Sequence, residues 1–326
     1  MPPSAGAIVH APVRTPEVLS VRAADGYALG AYHWRQPSER DNEHSIVIIN
    51  TATSVRCNYY ARFAKFLFDR GFDVITYDYR GIGASRPRSL RRFDASWVDW
   101  GRLDFEAMLQ YAARNIPGRP IDVVAHSIGG FILGFAPSAH HIRRIVAVGA
   151  QHAYWRDYAP AARYKMLVKW HVFMPAVTAL LGYFPGRRLG WLEDTPRGVV
   201  RDWSKAGKRF TSARRRGATA HIDEEELMRH FSSVTAAILA LSVTDDEFGT
   251  VPAIERLLRY FPHSLATHVR IAPESVAQAQ IGHFAFFNDC YEATLWPIAL
   301  GWLRHGRCPA NTPGSILARG MHPDCA

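Results

Sequence analysis

Residues 121–136, IDVVAHSIGGFILGFA, run from an apolar β-branched stretch into an apolar helical pattern through His126-Ser127-Ile128-Gly129-Gly130. A continuous apolar run such as Ile121–Ala125 suits a strand buried on both faces of a parallel sheet. A serine on the turn between such a strand and a helix has the context of a nucleophile elbow. The sharp turn needs small residues two positions before and two after the serine, and Ala125 and Gly129 supply them. The strict pattern has glycine at both, so Ala125 departs from it by one methyl group. The competing reading makes Ser127 a simple cap for the following helix.

The flanking sequence repeats the same alternation. Val18–Ala23 and Tyr27–Trp34 surround Asp25-Gly26 and predict a hairpin. Ser45–Asn50, Phe72–Asp78, Ile142–Gly149, Ala237–Thr244 and Ala266–Ile271 complete a set of eight expected strands with Ile121–Ala125. Helical patterns fall between them at Tyr59–Arg70, Trp97–Asn115, Pro252–Phe261 and Tyr291–Arg304, the last interrupted by Pro297. An opening hairpin followed by β-α-β alternation predicts an α/β doubly wound sheet. The alternation lapses over 151–232, a stretch rich in Trp, Tyr, Arg and Pro with no clear strand. We expect a helical cap or lid inserted there, with residues 1–150 and 233–306 forming the core and 307–326 an irregular tail.

The chain has 326 residues, of which 48% are hydrophobic and 21% charged, which excludes disorder and collagen-like repeats. No apolar run is long enough for a membrane span, and the N-terminus has no readable secretory signal. Cys57, Cys290, Cys308 and Cys325 lack metal or framework spacing and suit free thiols in a cytoplasmic protein. The net charge of +10 is spread out except at Lys205, Lys208, Arg209, Arg214, Arg215 and Arg216. That patch has only Phe210 interleaved and no recognition motif, so we expect a solvated or anion-steering loop and no nucleic-acid partner. HExxH, Walker and dinucleotide fingerprints are absent, so no cofactor and no metal are expected.

A serine hydroxyl needs a base to remove its proton, and the base needs an orienting carboxylate. On this architecture the order along the chain is Ser, then Asp or Glu, then His. The run AILALSVT ends at Asp245-Asp246-Glu247, and ATHVRI is followed by a loop carrying His283. Both places lie at the C-terminal edge of the sheet, where open α/β folds bind ligands. Asp246 is the preferred acid, because the acid sits a few residues past its strand; Asp245 comes next and Glu247 third. His283 is the preferred base. His126 adjoins Ser127, leaves the turn in another direction, and reads as a packing or hydrogen-bonding residue. The oxyanion formed on attack needs two N–H donors. Ile128 is the first expected donor, and Ala52, in the loop after Ser45–Asn50, is the second, with Thr51 as its alternative.

With these residues in place, the chain resembles the α/β-hydrolase superfamily over roughly Val18–Arg304 outside the insertion. Asp78-Tyr79-Arg80-Gly81-Ile82-Gly83-Ala84-Ser85 looks like the family's Asp-x-Arg-Gly-x-Gly-x-Ser turn, with a structural role. The stretch Asn50–Ser85, together with Ala-His-Ser-Ile-Gly-Gly, is similar to bacterial hydrolases related to serine aminopeptidase-type and lysophospholipase-like proteins. Members commonly have His-Gly where this chain has Asn50-Thr51. The resemblance implies an eight-stranded, mostly parallel sheet with a lid inserted after the sixth strand. The expected activity is hydrolysis of an ester, thioester or related acyl substrate through an acyl-enzyme. Tyr, Trp and Phe residues of the insertion would wall an apolar acyl pocket. An acyltransferase with the same triad, or a non-catalytic ligand-binding homologue, are the alternatives. The oligomeric state is not legible.

Overall fold

The computed structural model of the chain describes residues 15–37, 45–210, 219 and 221–320. The eight expected strands form to within a residue of their sequence bounds. They are β1 (Glu17–Arg22), β2 (Ala28–Trp34), β3 (Ile46–Asn50), β4 (Asp73–Tyr77), β5 (Ile121–His126) and β6 (Ile142–Val148), then, beyond the insertion with its own short pair β7 (Tyr183–Phe184) and β8 (Thr195–Pro196), β9 (Ala237–Val243) and β10 (Ala266–Ile271). A further strand, β11 (Ser315–Gly320), makes the main sheet nine-stranded in the order β1-β2-β4-β3-β5-β6-β9-β10-β11. The strands from β4 to β10 in that order run parallel, while β1, β2 and β11 pair antiparallel.

Period-two alternation sorts the strand side chains onto two faces. Ile46 and Ile48 of β3 join one core, with helix Glu106–Asn115 and helix Val251–Leu258. Val47 and Ile49 join the other, with helix Ala61–Asp69 and helix Trp296–His305. Every residue of β3 is buried, which is why its sequence shows no polar alternation. Trp97, Trp100, Tyr77 and Phe131 are fully buried. At about 1.5–3 kcal/mol for each large apolar side chain, such burial supplies much of what holds the layers together.

Three expectations are corrected. The tail is not wholly irregular, because Ser315–Gly320 pairs with β10 as an edge strand. The run SILARG pairs on one side only and is largely exposed, so its sequence carries little strand signal. Pro297 does not sit within one long helix; the helix begins at Trp296, with Pro297 in its first turn, where a missing N–H costs nothing. The insertion is mainly helical but contains the two-residue strands β7 and β8. Its last helix, Glu224–Ser233, packs Phe231 against Phe131 and Phe135 of the core. Of the basic patch, Arg214, Arg215 and Arg216 lie outside the described residues, as does Cys325; Cys57 and Cys290 are free thiols.

β3 is followed in the chain by β4 on one side and later by β5 on the other. The sheet order therefore reverses beside β3, and the crevice at the C-terminal ends of β3 and β5 is a topological switch point. The loop beginning at Thr51 and the turn at Ser127 face each other across it.

Candidate active site

Ser127 follows β5 directly, with φ of +56°, a left-handed conformation that a residue with a side chain occupies only under constraint. The constraint is visible. Its N–H donates to the Val148 carbonyl at 3.0 Å, and its own carbonyl accepts from the Gln151 N–H. Two residues on, a Cβ at Gly129 would stand 2.7 Å from the Asn50 carbonyl oxygen and 2.9 Å from that of Thr51. Backbone approaches backbone there, so only glycine fits. Asn50, in the place where relatives of this type commonly carry histidine, ties the same contact together. Its Nδ2 donates to the Gly129 carbonyl at 3.4 Å and its Oδ1 accepts from the Tyr77 hydroxyl at 2.8 Å.

The structure brings Ser127, His283 and Asp246 together. Ser127 Oγ lies 2.9 Å from His283 Nε2, and His283 Nδ1 lies 2.8 Å from Asp246 Oδ2. Asp246 stands three residues beyond β9 and is buried; its Oδ1 accepts from the Phe248 N–H at 2.7 Å. Burial opposes its ionisation, but His283 and the Gly249 and Phe248 N–H groups outweigh that and hold its carboxyl below the usual carboxylate range. An ionised Asp246 fixes the proton on Nδ1 and leaves Nε2 free to accept from the serine. The slot for this pair is cleared by glycines. A Cβ at Gly249 would stand 2.4 Å from Asp246 Oδ2, and one at Gly149 would stand 2.9 Å from it.

Asp245 faces elsewhere. Its Oδ2 accepts from the N–H groups of Ile281 and Gly282 at 2.8 and 3.0 Å, so it holds the loop that carries His283. Thr250 caps helix Val251–Leu258. His126 is fully buried, and its Nε2 lies 2.8 Å from the His283 carbonyl oxygen. Its Nδ1 lies 2.8 Å from the Tyr60 hydroxyl, which in turn accepts from the Ala52 N–H at 3.0 Å. Burial, then the neighbouring His283, push His126 down to about 3, so its ring is neutral and links the two loops without charge. The Asp78 turn is structural here. Its carboxylate accepts from Cys57 N–H at 2.7 Å and Ala84 N–H at 2.8 Å, joining the loop after β4 to the one after β3.

The expected oxyanion donors divide. Ile128 lines the cavity above Ser127, and its N–H makes no hydrogen bond among the described residues. Ala52 also lines the cavity, but its N–H is engaged by Tyr60. Thr51 is not among the lining residues. Thr53 is, and its N–H has no partner among the described residues.

The cavity has a volume of about 340 Å³, toward the lower end of the range of about 300–1,000 Å³ for small-molecule pockets. Trp170, Trp191, Trp203 and Met166 of the insertion wall it, opposite Phe248 and Phe284. The insertion is anchored at both sides of the site. Ser54 Oγ lies 2.7 Å from Thr195 Oγ1 and the Glu193 N–H donates to the Ser54 carbonyl, beside the loop after β3. The Ala159 N–H donates to the Glu247 carbonyl, beside the acid. Gln151 went unnoticed in the sequence; its Nε2 is 3.5 Å from Ser127 Oγ and its Oε1 accepts from the Ala153 N–H. The signal for it was positional, because it lies just beyond β6 at the rim where ligands bind. Tyr60 had no comparable signal, since nothing in the spacing ties residue 60 to residue 126.

Among the described residues no group of three His, Cys, Asp or Glu side chains is placed to hold a metal ion, and no helix is long and apolar enough to cross a membrane. A family model described as serine aminopeptidase, S33, matches residues 41–259, more than half of the chain. No curated protein matches the sequence. Among solved structures the fold is similar to a soluble variant of monoglyceride lipase from Saccharomyces cerevisiae, at 15% identity and a TM-score of 0.61, covering 92% of this chain and 98% of that one. It is also similar to the esterase domain of a Rhodothermus marinus protein, at 13% identity and a TM-score of 0.54, covering 89% of this chain and 98% of that one. A Pyrococcus furiosus esterase aligns at 13% identity and a TM-score of 0.51, covering 88% of this chain and 89% of that one.

Proposed function

The chain belongs to the serine aminopeptidase S33 family of the α/β-hydrolase superfamily, and from that membership we propose that it is a serine hydrolase of the carboxylesterase type, cleaving an ester, thioester or related acyl bond through Ser127, His283 and Asp246. One observation carries the reading: Ser127 Oγ sits 2.9 Å from a histidine nitrogen whose partner nitrogen is 2.8 Å from a buried carboxylate, at the floor of a cavity. His283 Nε2 takes the hydroxyl proton as Ser127 Oγ attacks the acyl carbon. Asp246 stabilises the imidazolium that results. The tetrahedral oxyanion is held by the Ile128 N–H and by a second donor from the cavity-lining pair Ala52 and Thr53. Of these the Ala52 N–H would have to be shared with Tyr60, whereas the Thr53 N–H is unengaged. The protonated His283 then donates to the leaving oxygen or sulfur as the C–O or C–S bond breaks, which leaves an acyl-enzyme. Water, deprotonated by the same nitrogen, releases the acid and restores the serine.

The insertion over 151–232 serves in this reading as the lid. Its tryptophans, with Phe248, favour an apolar acyl group near the reacting carbonyl. Esterase and monoglyceride lipase neighbours agree with that class at the level of the fold. The test is covalent labelling with a fluorophosphonate probe. The wild-type chain is expected to label stoichiometrically and Ser127→Ala not at all, with an unchanged melting temperature. Labelling that persists in Ser127→Ala would remove the serine from its assigned role.

A further inference from the structure

Two cations stand where the walls of this cavity are otherwise mainly apolar. Lys165 and Lys169, one helical turn apart, both line it. Lys169 Nζ is 4.4 Å from the centre of the Trp170 ring and 3.9 Å from that of Trp191, so two aromatic faces fix the ammonium in place. Partial burial is the main cause of a depressed Lys169 basicity; Lys165 adds to it and Glu247 works against it. Among the described residues, neither ammonium has a carboxylate within ion-pair distance. Among the described residues Glu247 is the one acid lining the cavity, and it offsets only part of the charge of the two lysines, so the lid end keeps a net positive charge. A half-buried cation held by tryptophans but left without a counter-ion is a poor structural device, because it is partly desolvated and unpaired. It is a good recognition device, because an anion entering the cavity meets a preorganised charge in a low-dielectric wall.

We propose that the substrate of this site is an amphiphilic acyl ester or thioester bearing one negatively charged group, carboxylate or phosphate, which Lys169 and Lys165 receive at the lid end while the apolar part packs near Ser127. The proposal rests on the serine-hydrolase reading above and adds a substrate class to it. A single anionic group is specified because Glu247, which lines the same cavity, would repel a second one placed beside it.

The test compares matched neutral and anionic esters. One pair places the charge on the acyl side: 4-nitrophenyl valerate and mono-4-nitrophenyl glutarate. Another places it on the leaving side: 4-carbamoylphenyl butyrate and 4-carboxyphenyl butyrate. In at least one pair the wild-type chain is expected to prefer the anionic ester in kcat/KM. That ratio should fall by about tenfold in Lys165→Gln/Lys169→Gln, a change equivalent to about 1.4 kcal/mol. Lys169→Glu should reverse the preference, and Lys169→Arg should retain it. The acyl-side and leaving-side pairs tell which half of the substrate carries the charge. Ser127-dependent hydrolysis that shows no anionic preference in either pair, or a ratio unmoved in the double variant, overturns this proposal and leaves the serine-hydrolase reading standing. Absence of Ser127-dependent turnover or labelling overturns that reading itself.

Discussion

His126 Nε2 donates a hydrogen bond to the main-chain carbonyl of His283 at 2.8 Å, so the residue before the proposed nucleophile holds the loop that carries the proposed base. The rings of the two histidines lie 5.0 Å apart, and Phe287 and Phe284 pack on His126 from other sides. Through Tyr60 the same ring reaches the Ala52 N–H. The proposed serine, base loop and oxyanion loop therefore share one buried set of hydrogen bonds. His126→Gln can keep a donor near the position of Nε2, whereas His126→Asn can keep only an acceptor near that of Nδ1. We expect His126→Gln to retain kcat on a chromogenic ester to within about threefold and His126→Asn to lose about tenfold or more, since small misplacements of a reacting group are costly. Equal losses in both would show that the bond to His283 does not set its position.

The two neighbouring aspartates have separate partners and should fail differently. Asp246→Asn removes the charge that stabilises the imidazolium and favours the wrong tautomer, so kcat should fall by about 10³–10⁴ with little change in melting temperature. Asp245→Ala leaves the Ile281 and Gly282 N–H groups without their acceptor. It should cost roughly tenfold in activity, in line with a loosened loop, and lower the melting temperature, because each orphaned buried group costs about 1–3 kcal/mol. Steady-state kinetics and thermal unfolding of both variants check this. The reverse ranking of kcat losses would exchange their roles.

This contrast also marks how far the sequence could be read. The central strands were legible because burial on both faces writes itself as runs dominated by Val, Ile, Leu and Ala, whereas β1 and β2, more exposed, were legible from the Asp25-Gly26 turn between them. Ser127, Asp246 and His283 could be named as candidates because the chain order and the strand ends confine each to a few positions, and their three side chains lie within hydrogen-bond reach of one another. The strand Ser315–Gly320 was not legible, since an exposed edge strand needs no apolar pattern. Tyr60 was not legible either, and Gln151 only through its place just beyond β6. They reach the site through contacts between distant segments, and no local propensity encodes a hydrogen bond 66 positions away, as between Tyr60 and His126.

Gly249 offers a prediction that depends on space alone. Its φ is ordinary, so alanine can adopt its backbone, but the added Cβ would meet Asp246 Oδ2 at 2.4 Å and the Gly149 Cα at 2.9 Å. The carboxylate must then move off His283 Nδ1. Gly249→Ala should lower kcat by about 10² while the substrate KM changes little, because the lost interaction matters most as the imidazolium forms. A spectroscopic check is available in the Nδ1 proton of His283, whose downfield resonance should shift or vanish in this variant. Full activity in Gly249→Ala would mean that the contact relaxes without displacing Asp246.

Acid stability follows from three buried histidines. Burial pushes His126 to about 3, and His152 and His268 each to about 4, from an ordinary value of 6.5. His152 lies 3.1 Å from the Gly207 carbonyl oxygen, and His268 lies 2.8 Å from Ser242 Oγ. Between those values and 6.5 the unfolded chain binds protons on these three rings that the folded chain does not; Asp104, raised to about 7 by burial, acts in the opposite sense over the same window but offsets only about one of the three, so stability rises with pH there and falls on acidification. Each group contributes a slope of up to about 1.4 kcal/mol per pH unit. Asp246, whose folded value is lowered, adds its loss only below the ordinary aspartate value of 3.8, as pH falls through the folded value. The melting temperature should therefore decline steadily from about pH 6.5 toward pH 4. In His268→Gln the decline should be shallower, with about one fewer proton taken up on unfolding at pH 5, as read by calorimetry in buffers of different ionisation enthalpy. A melting temperature that holds constant from pH 7 to pH 4.5 would mean that these rings are not kept neutral by the fold.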